Sequence, residues 1–223
     1  TVSIEGGAGN DTITNSGDGV TISGGAGIDV ISNTGSGTST VLLTISGGAG
    51  ADKIYNEGKY VYISGDADAD SISLGSASEN VTINVGAGND TITNQNSVYS
   101  ANVYQFNTGF GNNVIVGFSV NDSIQALGTS SVTALSYKSI AQRTVGSGED
   151  SVVVNDLILN IGNTIVTLQG YGEVGNVVHL ANGEDGDDLT VKKWSVGTSG
   201  VDTWEVSDDL EGYELVMLGG ADK

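Results

Sequence analysis

The sequence predicts an all-β solenoid followed by a C-terminal β-rich region, and three observations predict it. A short motif of glycine, aspartate and an aliphatic residue recurs at near-regular intervals over the first half of the chain. Between its copies, apolar and polar residues alternate with the two-residue period of a β-strand. Glycine makes up 35 of the 223 residues and proline is absent, which favours many tight turns between short strands.

The repeated motif occurs in six places. Residues 6–14, 24–32 and 47–55 all follow the pattern G-G-A-G-x-D-x-I-x. Residues 65–73 have lost two of the glycines, residues 85–93 lack only the first, and residues 108–115 are degenerate. The acidic position is occupied in turn by Asp11, Asp29, Asp52, Asp70, Asp90 and then Asn113, at spacings of 18, 23, 18, 20 and 23 residues.

Each repeat supplies two short strands, which together form one rung of the solenoid. One strand follows the aspartate, as in residues 11–14, and the other precedes the next glycine pair, as in residues 20–23. The alternation turns valine and isoleucine inward and threonine and serine outward. Stacked rungs therefore predict two isoleucine ladders, Ile13, Ile31, Ile54, Ile72 and Ile92 on one sheet and Ile22, Ile45, Ile63 and Ile83 on the other.

The motif resembles the nonapeptide repeat of the RTX (repeats-in-toxin) family, G-G-x-G-x-D-x-U-x, where U is a large aliphatic residue. The resemblance covers residues 1–116, with three copies that match at every defined position. It implies a right-handed parallel β-roll that binds calcium between its turns. It also implies a bacterial protein that is secreted, commonly through a type I channel.

The residues themselves favour a calcium site at these turns. Aspartates stacked one rung apart repel one another unless a cation lies between them, and calcium prefers carboxylate and carbonyl oxygens, whereas magnesium demands a tighter octahedron. Glycine allows positive φ angles that point carbonyls at an ion. We expect aspartates of neighbouring rungs to share each ion, with Asp90/Asn113 the weaker pair. The predicted metal residues are Gly6, Gly7, Gly9, Asp11, Gly24, Gly25, Gly27, Asp29, Gly47, Gly48, Gly50, Asp52, Gly65, Asp66, Asp68, Asp70, Gly86, Gly88, Asp90 and Asn113.

Only every second turn carries the motif, which departs from the usual family pattern of back-to-back nonapeptides. The intervening turns, such as residues 15–19 and 33–37, consist of asparagine, serine, threonine and glycine, which are ordinary turn-formers. We therefore expect calcium along one edge of the roll. The opposite edge is predicted to be a polar seam that tolerates insertions, which explains the longer spacings.

Composition excludes several classes of function. Seven basic and 27 acidic residues give a net charge of −20, which argues against binding to nucleic acid or anionic lipid. The chain contains no cysteine, and its one histidine, His179, is expected to be a strand residue. The longest apolar runs are too short for a membrane-spanning helix. No nucleophile motif and no distinctive carboxylate pair is present, so we predict a protein that is not an enzyme.

The second half, residues 117–223, is predicted to be a β-rich capping or assembly region. Residues 104–107 and 117–124 resemble the closing segments that follow RTX repeats. Residues 151–159 and 164–168 predict a β-hairpin, and further strands are expected around Trp194, Trp204 and Val216. The two tryptophans suit core packing or sugar stacking. The acidic run at residues 184–188 is either a solvated turn or an extra calcium site, and residues 208–211 form a weaker run of the same kind.

These patterns predict a secreted or cell-surface calcium-binding structural module, a spacer or building block of an adhesin, surface layer or extracellular filament. The alternative is a non-catalytic accessory module of a larger RTX exoenzyme, for secretion or polysaccharide binding. The chain starts inside a rung, at residues 1–4, and ends in a partial turn, at residues 219–223. From these ends we expect more protein beyond them or end-to-end self-association.

Overall fold

The computed structural model describes residues 2–96, 100–107, 109–127, 135–147, 151–172, 177–180 and 187–190. All regular elements in these ranges are β-strands, so the predicted all-β class is confirmed. The strands are β1 (Ser3–Ala8), β2 (Thr12–Asn15), β3 (Thr21–Ala26), β4 (Val30–Asn33), β5 (Leu43–Ala49), β6 (Lys53–Asn56), β7 (Val61–Ala67), β8 (Ser71–Leu74), β9 (Thr82–Asn84), β10 (Thr91–Asn94), β11 (Val103–Phe106), β12 (Asn112–Val116), β13 (Ser123–Ala126), β14 (Leu135–Val145), β15 (Val152–Ile161), β16 (Thr164–Gln169), β17 (Val177–Leu180) and β18 (Asp187–Thr190).

The strands form a parallel β-solenoid of two sheets. Odd-numbered strands from β1 to β13 follow one another in the first sheet, and even-numbered strands from β2 to β12 in the second. Each rung thus runs from one sheet through a glycine-rich turn into the other, and returns through the opposite turn. We number the rungs one to six, from β1–β2 to β11–β12. We call the glycine-rich side the aspartate edge and the opposite side the seam.

The core consists of the predicted isoleucine ladders. In the first sheet Ile22, Ile45, Ile63 and Ile83 lie in register, and in the second Ile13, Ile31, Ile54, Ile72 and Ile92 do so. All are buried. The ladders continue beyond the repeats, since Tyr104 and Ile124 follow Ile83 while Ile115 and Leu168 follow Ile92. Alternation along each strand therefore decides which side chains enter the core.

Both sheets continue past residue 116. Strand β13 extends the first sheet, and β16 pairs in parallel with β12 to extend the second. The predicted hairpin is confirmed, because β15 and β16 pair antiparallel between residues 157 and 168. Strand β14, which the sequence did not suggest, pairs antiparallel with β15. The division of the chain at residue 116 stays a prediction.

Aromatic rings fill the core where the repeats end. The ring of Phe118 lies 5.6 Å from that of Tyr104 and 5.0 Å from that of Tyr171, centroid to centroid. All three side chains are buried. The described residues contain no helix that is long and apolar enough to cross a membrane.

Candidate metal centre

The aspartate edge brings the aspartates of consecutive rungs together, as the sequence predicted. The backbone N–H of each aspartate donates to the Oδ1 atom of the aspartate one rung further on. These contacts measure 2.7 Å from Asp11 to Asp29, 2.7 Å from Asp29 to Asp52, 2.8 Å from Asp52 to Asp70 and 2.9 Å from Asp70 to Asp90. From the second rung on, one oxygen of each carboxylate therefore accepts a hydrogen bond from the backbone of the preceding rung.

The other carboxylate oxygen has no donor in the structure. In all five aspartates the Oδ2 atom is buried and forms no hydrogen bond: Asp11, Asp29, Asp52, Asp70 and Asp90. Asp29, Asp52, Asp70 and Asp90 are at most 3% exposed as whole residues. An anionic oxygen that is removed from water without a partner carries a large free-energy penalty. We call this column of five Oδ2 atoms the carboxylate row.

The first glycine of each turn leaves room for the row. A methyl group on Gly6 would lie 2.7 Å from Asp11 Oδ2 and 2.5 Å from the Gly24 carbonyl oxygen. On Gly47 it would lie 2.6 Å from Asp52 Oδ2 and 2.9 Å from the Gly65 carbonyl oxygen. The same two kinds of oxygen flank Gly24 and Gly65. Carboxylate and carbonyl oxygens of neighbouring rungs thus converge on a space that any side chain here would fill.

The second and fourth positions of each turn require positive φ angles. Gly7 and Gly9 have φ angles of 102° and 114°, and the equivalent glycines of the second, third and fifth rungs are also positive. In the fourth rung Asp66 and Asp68 occupy these positions, each with φ of 75°. L-residues rarely adopt this conformation.

The structure keeps Asp66 and Asp68, both predicted ligands, out of the carboxylate row. Both residues are exposed. The Asp66 carboxylate accepts hydrogen bonds from the Ser46 and Ser64 hydroxyls, the latter at 2.5 Å. Asp66 is therefore engaged on the outer surface, and these two acids add negative charge beside the row.

Asn113 occupies the sixth position of the ladder. Its Oδ1 atom accepts the Asp90 N–H at 2.9 Å, as the aspartates do. Where the aspartates have a bare oxygen, Asn113 has an amide nitrogen, which donates to the Phe110 carbonyl at 3.3 Å. Asn113 thus accepts the same backbone hydrogen bond as the aspartates but offers a cation no oxygen that lacks a hydrogen-bond donor.

Burial changes the protonation of the row in the metal-free chain. Burial, with a smaller contribution from neighbouring carboxylates, raises the pKa of Asp70 to about 8. Burial also raises the pKa of Asp90 to about 6 and raises that of Asp52. A backbone N–H of the preceding rung opposes the rise in each case. Without another cation, protons would partly neutralise the row.

The oxygens present fit a hard divalent cation. Among the described residues, no three acidic or histidine side chains form a group that could hold a metal. The arrangement is instead a row in which each interval between rungs offers two carboxylates and backbone carbonyls. Calcium accepts such mixed oxygen sets with flexible geometry. The donor-free Oδ2 atoms leave room for a cation or a proton, and the space beside each first glycine is compatible with a cation.

Along the seam, a similar column of side chains satisfies its hydrogen-bonding groups without any ion. Asn15 Nδ2 donates to Asn33 Oδ1 at 2.8 Å, and Asn33 Nδ2 donates to Asn56 Oδ1 at 2.7 Å. These asparagines are buried, and each amide also bonds to the turn backbone two residues on. We expected simple turn-formers here. The recurrence of asparagine as the last residue of the second strand in rungs one, two, three and five is the signal for this ladder.

Sequence reasoning also missed a buried carboxylate at the end of the seam. Asp122 accepts four hydrogen bonds, from the Ser100 hydroxyl at 2.7 Å, Asn102 N–H at 2.8 Å, Ser119 N–H at 3.0 Å and Asn94 Nδ2 at 3.2 Å. Asp122 is fully buried, and burial raises its pKa. Because four donors surround this carboxylate, it differs from the carboxylate row. The only sequence signal was Ser119 three residues before an aspartate.

The remaining predictions concern the C-terminal part. His179 lies in β17, as predicted. Asp187 and Asp188 lie in β18, whereas the rest of the acidic run at residues 184–188 lies outside the described residues. Residues 208–211, Trp194, Trp204 and Val216 also lie outside them.

Comparison with known proteins finds similarity among solved structures. No protein-family model and no curated protein matches the chain. The chain is similar to the crystal structure of the extracellular lipase LipA from Serratia marcescens, with a TM-score of 0.34 and 17% sequence identity. The likeness covers 74% of this chain and 37% of the lipase chain. At this level it carries no argument about function.

Proposed function

We propose that the protein is a calcium-binding β-roll module of the RTX type that folds when calcium fills the carboxylate row. The observation that carries the proposal is the column of five buried Oδ2 atoms without donors. In each interval the ligands would be carboxylates of two rungs and the carbonyl of the next turn's first residue. That residue is Gly24, Gly47, Gly65 or Val85.

The seam supports this proposal as an internal comparison. In rungs one to three, both edges stack one polar side chain per rung in the same backbone. An amide donates and accepts, so asparagines satisfy one another, whereas an ionised carboxylate only accepts. The aspartate edge is therefore complete only with an added positive charge. Calcium supplies two charges and a flexible set of six to eight oxygen contacts.

Calcium would control folding through linkage. The unfolded chain does not hold the aspartates of different rungs together, so calcium binds the folded roll in preference. A ligand at 100 times its dissociation constant stabilises the folded state by about 2.7 kcal/mol per site. With several intervals in one roll, millimolar extracellular calcium would fold a chain that stays unfolded where calcium is scarce. The net charge of −20 favours the expanded chain in that second condition.

We further propose a secreted structural role, as a stiff spacer or building block at a cell surface. The two continuous parallel sheets support a rigid rod-like unit. An accessory role in a larger exoenzyme is the alternative. Sizing the protein with and without calcium separates the two, because calcium-dependent end-to-end polymers are expected of a building block and monomers of an accessory module.

Metal analysis of single variants tests the shared-ligand arrangement. Asp29→Ala and Asp52→Ala each remove a carboxylate that borders two intervals, so each should lose about two bound calcium ions per chain. Asp11→Ala borders one and should lose about one. The measurement is the calcium-to-protein ratio after equilibrium dialysis at saturating calcium. Equal losses in all three variants would contradict sharing between rungs.

A further inference from the structure

The carboxylate row stops at the sixth rung although the backbone does not change there. Asp90 N–H still donates to the side-chain oxygen of residue 113 at 2.9 Å, and Val114 N–H donates to the Asp90 carbonyl at 2.9 Å. Asn112 N–H donates to Asn89 Oδ1 at 2.9 Å, the contact that Ile28 N–H makes with Asn10 Oδ1 in the first interval. The sixth turn therefore has the frame of a row turn.

What differs at the sixth rung is the chemistry of one side chain. Asn113 is 1% exposed, as buried as the aspartates before it. Its Nδ2 atom donates to the Phe110 carbonyl of its own turn, while the Oδ2 atoms of the five aspartates have no donor. The amide thus uses its own hydrogens where a carboxylate would need a cation.

The outer side of the same turn is closed by a residue from far along the chain. Thr164, the first residue of β16, is fully buried. Its hydroxyl accepts the Phe110 N–H at 2.8 Å and donates to the Asn107 carbonyl at 2.6 Å. Ile165 N–H donates to the Gly111 carbonyl at 2.8 Å. The layer beyond the sixth rung is therefore protein that is bonded directly to this turn.

We propose that Asn113, in a turn that is bonded to Thr164, ends the row of cation sites, so that the interval between Asp90 and Asn113 takes no cation. Position 113 then decides whether that interval depends on calcium. This inference rests on the proposed function, because it assigns the limit of the same row. It leaves four intervals bordered by two carboxylates: Asp11/Asp29, Asp29/Asp52, Asp52/Asp70 and Asp70/Asp90.

The test is to restore the missing carboxylate. In Asn113→Asp, a carboxylate oxygen replaces the amide nitrogen that donates to the Phe110 carbonyl. This oxygen lies beside Asp90 and has no hydrogen-bond donor. We expect this variant to bind about one more calcium ion per chain than the wild type at saturation. Asn112→Asp is the matched control, because it adds the same charge in the same turn on an exposed side chain. The control should keep the wild-type ion count.

Asp90→Asn keeps the inference falsifiable even where Asn113→Asp fails to fold. It moves the asparagine one rung toward the N-terminus, so the ion count should fall by about one while the protein still folds with calcium. An unchanged count in either Asn113→Asp or Asp90→Asn, or an equal gain in Asn113→Asp and Asn112→Asp, would overturn the inference. A wild type that binds no calcium would instead overturn the proposed function, and the inference with it.

Discussion

At the scale of single residues, aspartate and asparagine differ here by one hydrogen-bond donor, and that difference separates the two edges of the roll. Asn33 both donates and accepts along the seam. Asp29, in the same rung, accepts through Oδ1 and has a buried Oδ2 atom with no donor. A cation or a proton must supply what the carboxylate lacks. The aspartate edge is therefore the edge whose stability depends on the concentrations of protons and cations.

Protons should replace calcium in part when the metal is removed. The folded pKa values of Asp70 and Asp90 are raised to about 8 and about 6, above the unfolded value of 3.8. A raised folded pKa stabilises the fold below the unfolded pKa, and that stabilisation is lost as the pH rises through the folded value. The far-UV β signal of metal-free protein should therefore decrease as the pH is raised from 5 to 8.5.

Calcium should reverse this dependence, because it binds the ionised carboxylates and protons compete with it. The calcium affinity should thus decrease as the pH falls over the same range. Asp70→Asn is the control, since it removes a carboxyl group whose pKa is raised to about 8 and should flatten the metal-free profile. A metal-free β signal that increases with pH over this range would contradict the assignment of buried, cation-deficient carboxylates.

At the scale of the turn, the first glycine leaves space beside the carboxylate row, and the second and fourth glycines allow a positive φ angle. From the second rung on, a Cβ at the second or fourth position would also clash with a carbonyl of the preceding rung. Gly24 stands beside Asp29 Oδ2 and the Gly47 carbonyl, with which a Cβ would clash. Gly7 has open space around its Cα and a φ of 102°. The motif thus contains two separate requirements, which mutation can distinguish.

Gly24→Ala should damage the roll through crowding. The added methyl group would push against two ligand oxygens at once, and overpacking of this kind typically costs about 1–3 kcal/mol. Calcium affinity should fall together with stability, measured by urea unfolding at several calcium concentrations. Gly17→Ala is the matched control, because its nearest atoms would be at ordinary contact distances of 3.4 and 3.5 Å. Equal effects of the two substitutions would exclude a special role for Gly24.

At the scale of the seam, the asparagine ladder should not tolerate a carboxylate. Asn33→Asp removes the donor to Asn56 Oδ1 and to the Gly35 carbonyl, and places a charged oxygen against both. Leaving buried polar groups unpaired costs about 1–3 kcal/mol, and more for a charged group. This loss of stability should persist at saturating calcium, as measured by thermal unfolding. Full rescue by calcium would show that the seam can also bind ions, contrary to the account.

At the scale of the whole molecule, the sequence predicted the aspartate and isoleucine columns and missed contacts between distant segments. The positions of Asp29 and Ile54 follow from a motif that recurs at a readable spacing, and a shared register then places them on an edge or in the core. Thr164 contacts Phe110 across 54 residues, with no repeat between them. Such a pairing has no local signal. Asp122 was missed because its four donors come from separate segments, around residues 94, 100, 102 and 119.

The two ends of the described roll therefore differ in what stabilises them. Rungs one to five depend on a row of carboxylates that lacks a cation. The sixth rung is held by Asn113, by Thr164 and by the packed rings of Tyr104, Phe118 and Tyr171. Under the proposed function, rungs one to five form a calcium-dependent majority of the roll and the sixth rung forms a self-sufficient end. The dependence of the majority on calcium is the central claim.

The measurement that tests this claim most directly is far-UV circular dichroism of metal-free protein at neutral pH during titration with calcium. The account predicts a low β signal without the metal and a cooperative gain at about 10⁻⁴–10⁻³ M calcium, the range of extracellular calcium modules. Magnesium at the same concentrations should produce a smaller gain of β signal, because it demands tighter octahedral geometry. A chain that is fully folded without metal, and that takes up no calcium, would contradict the account.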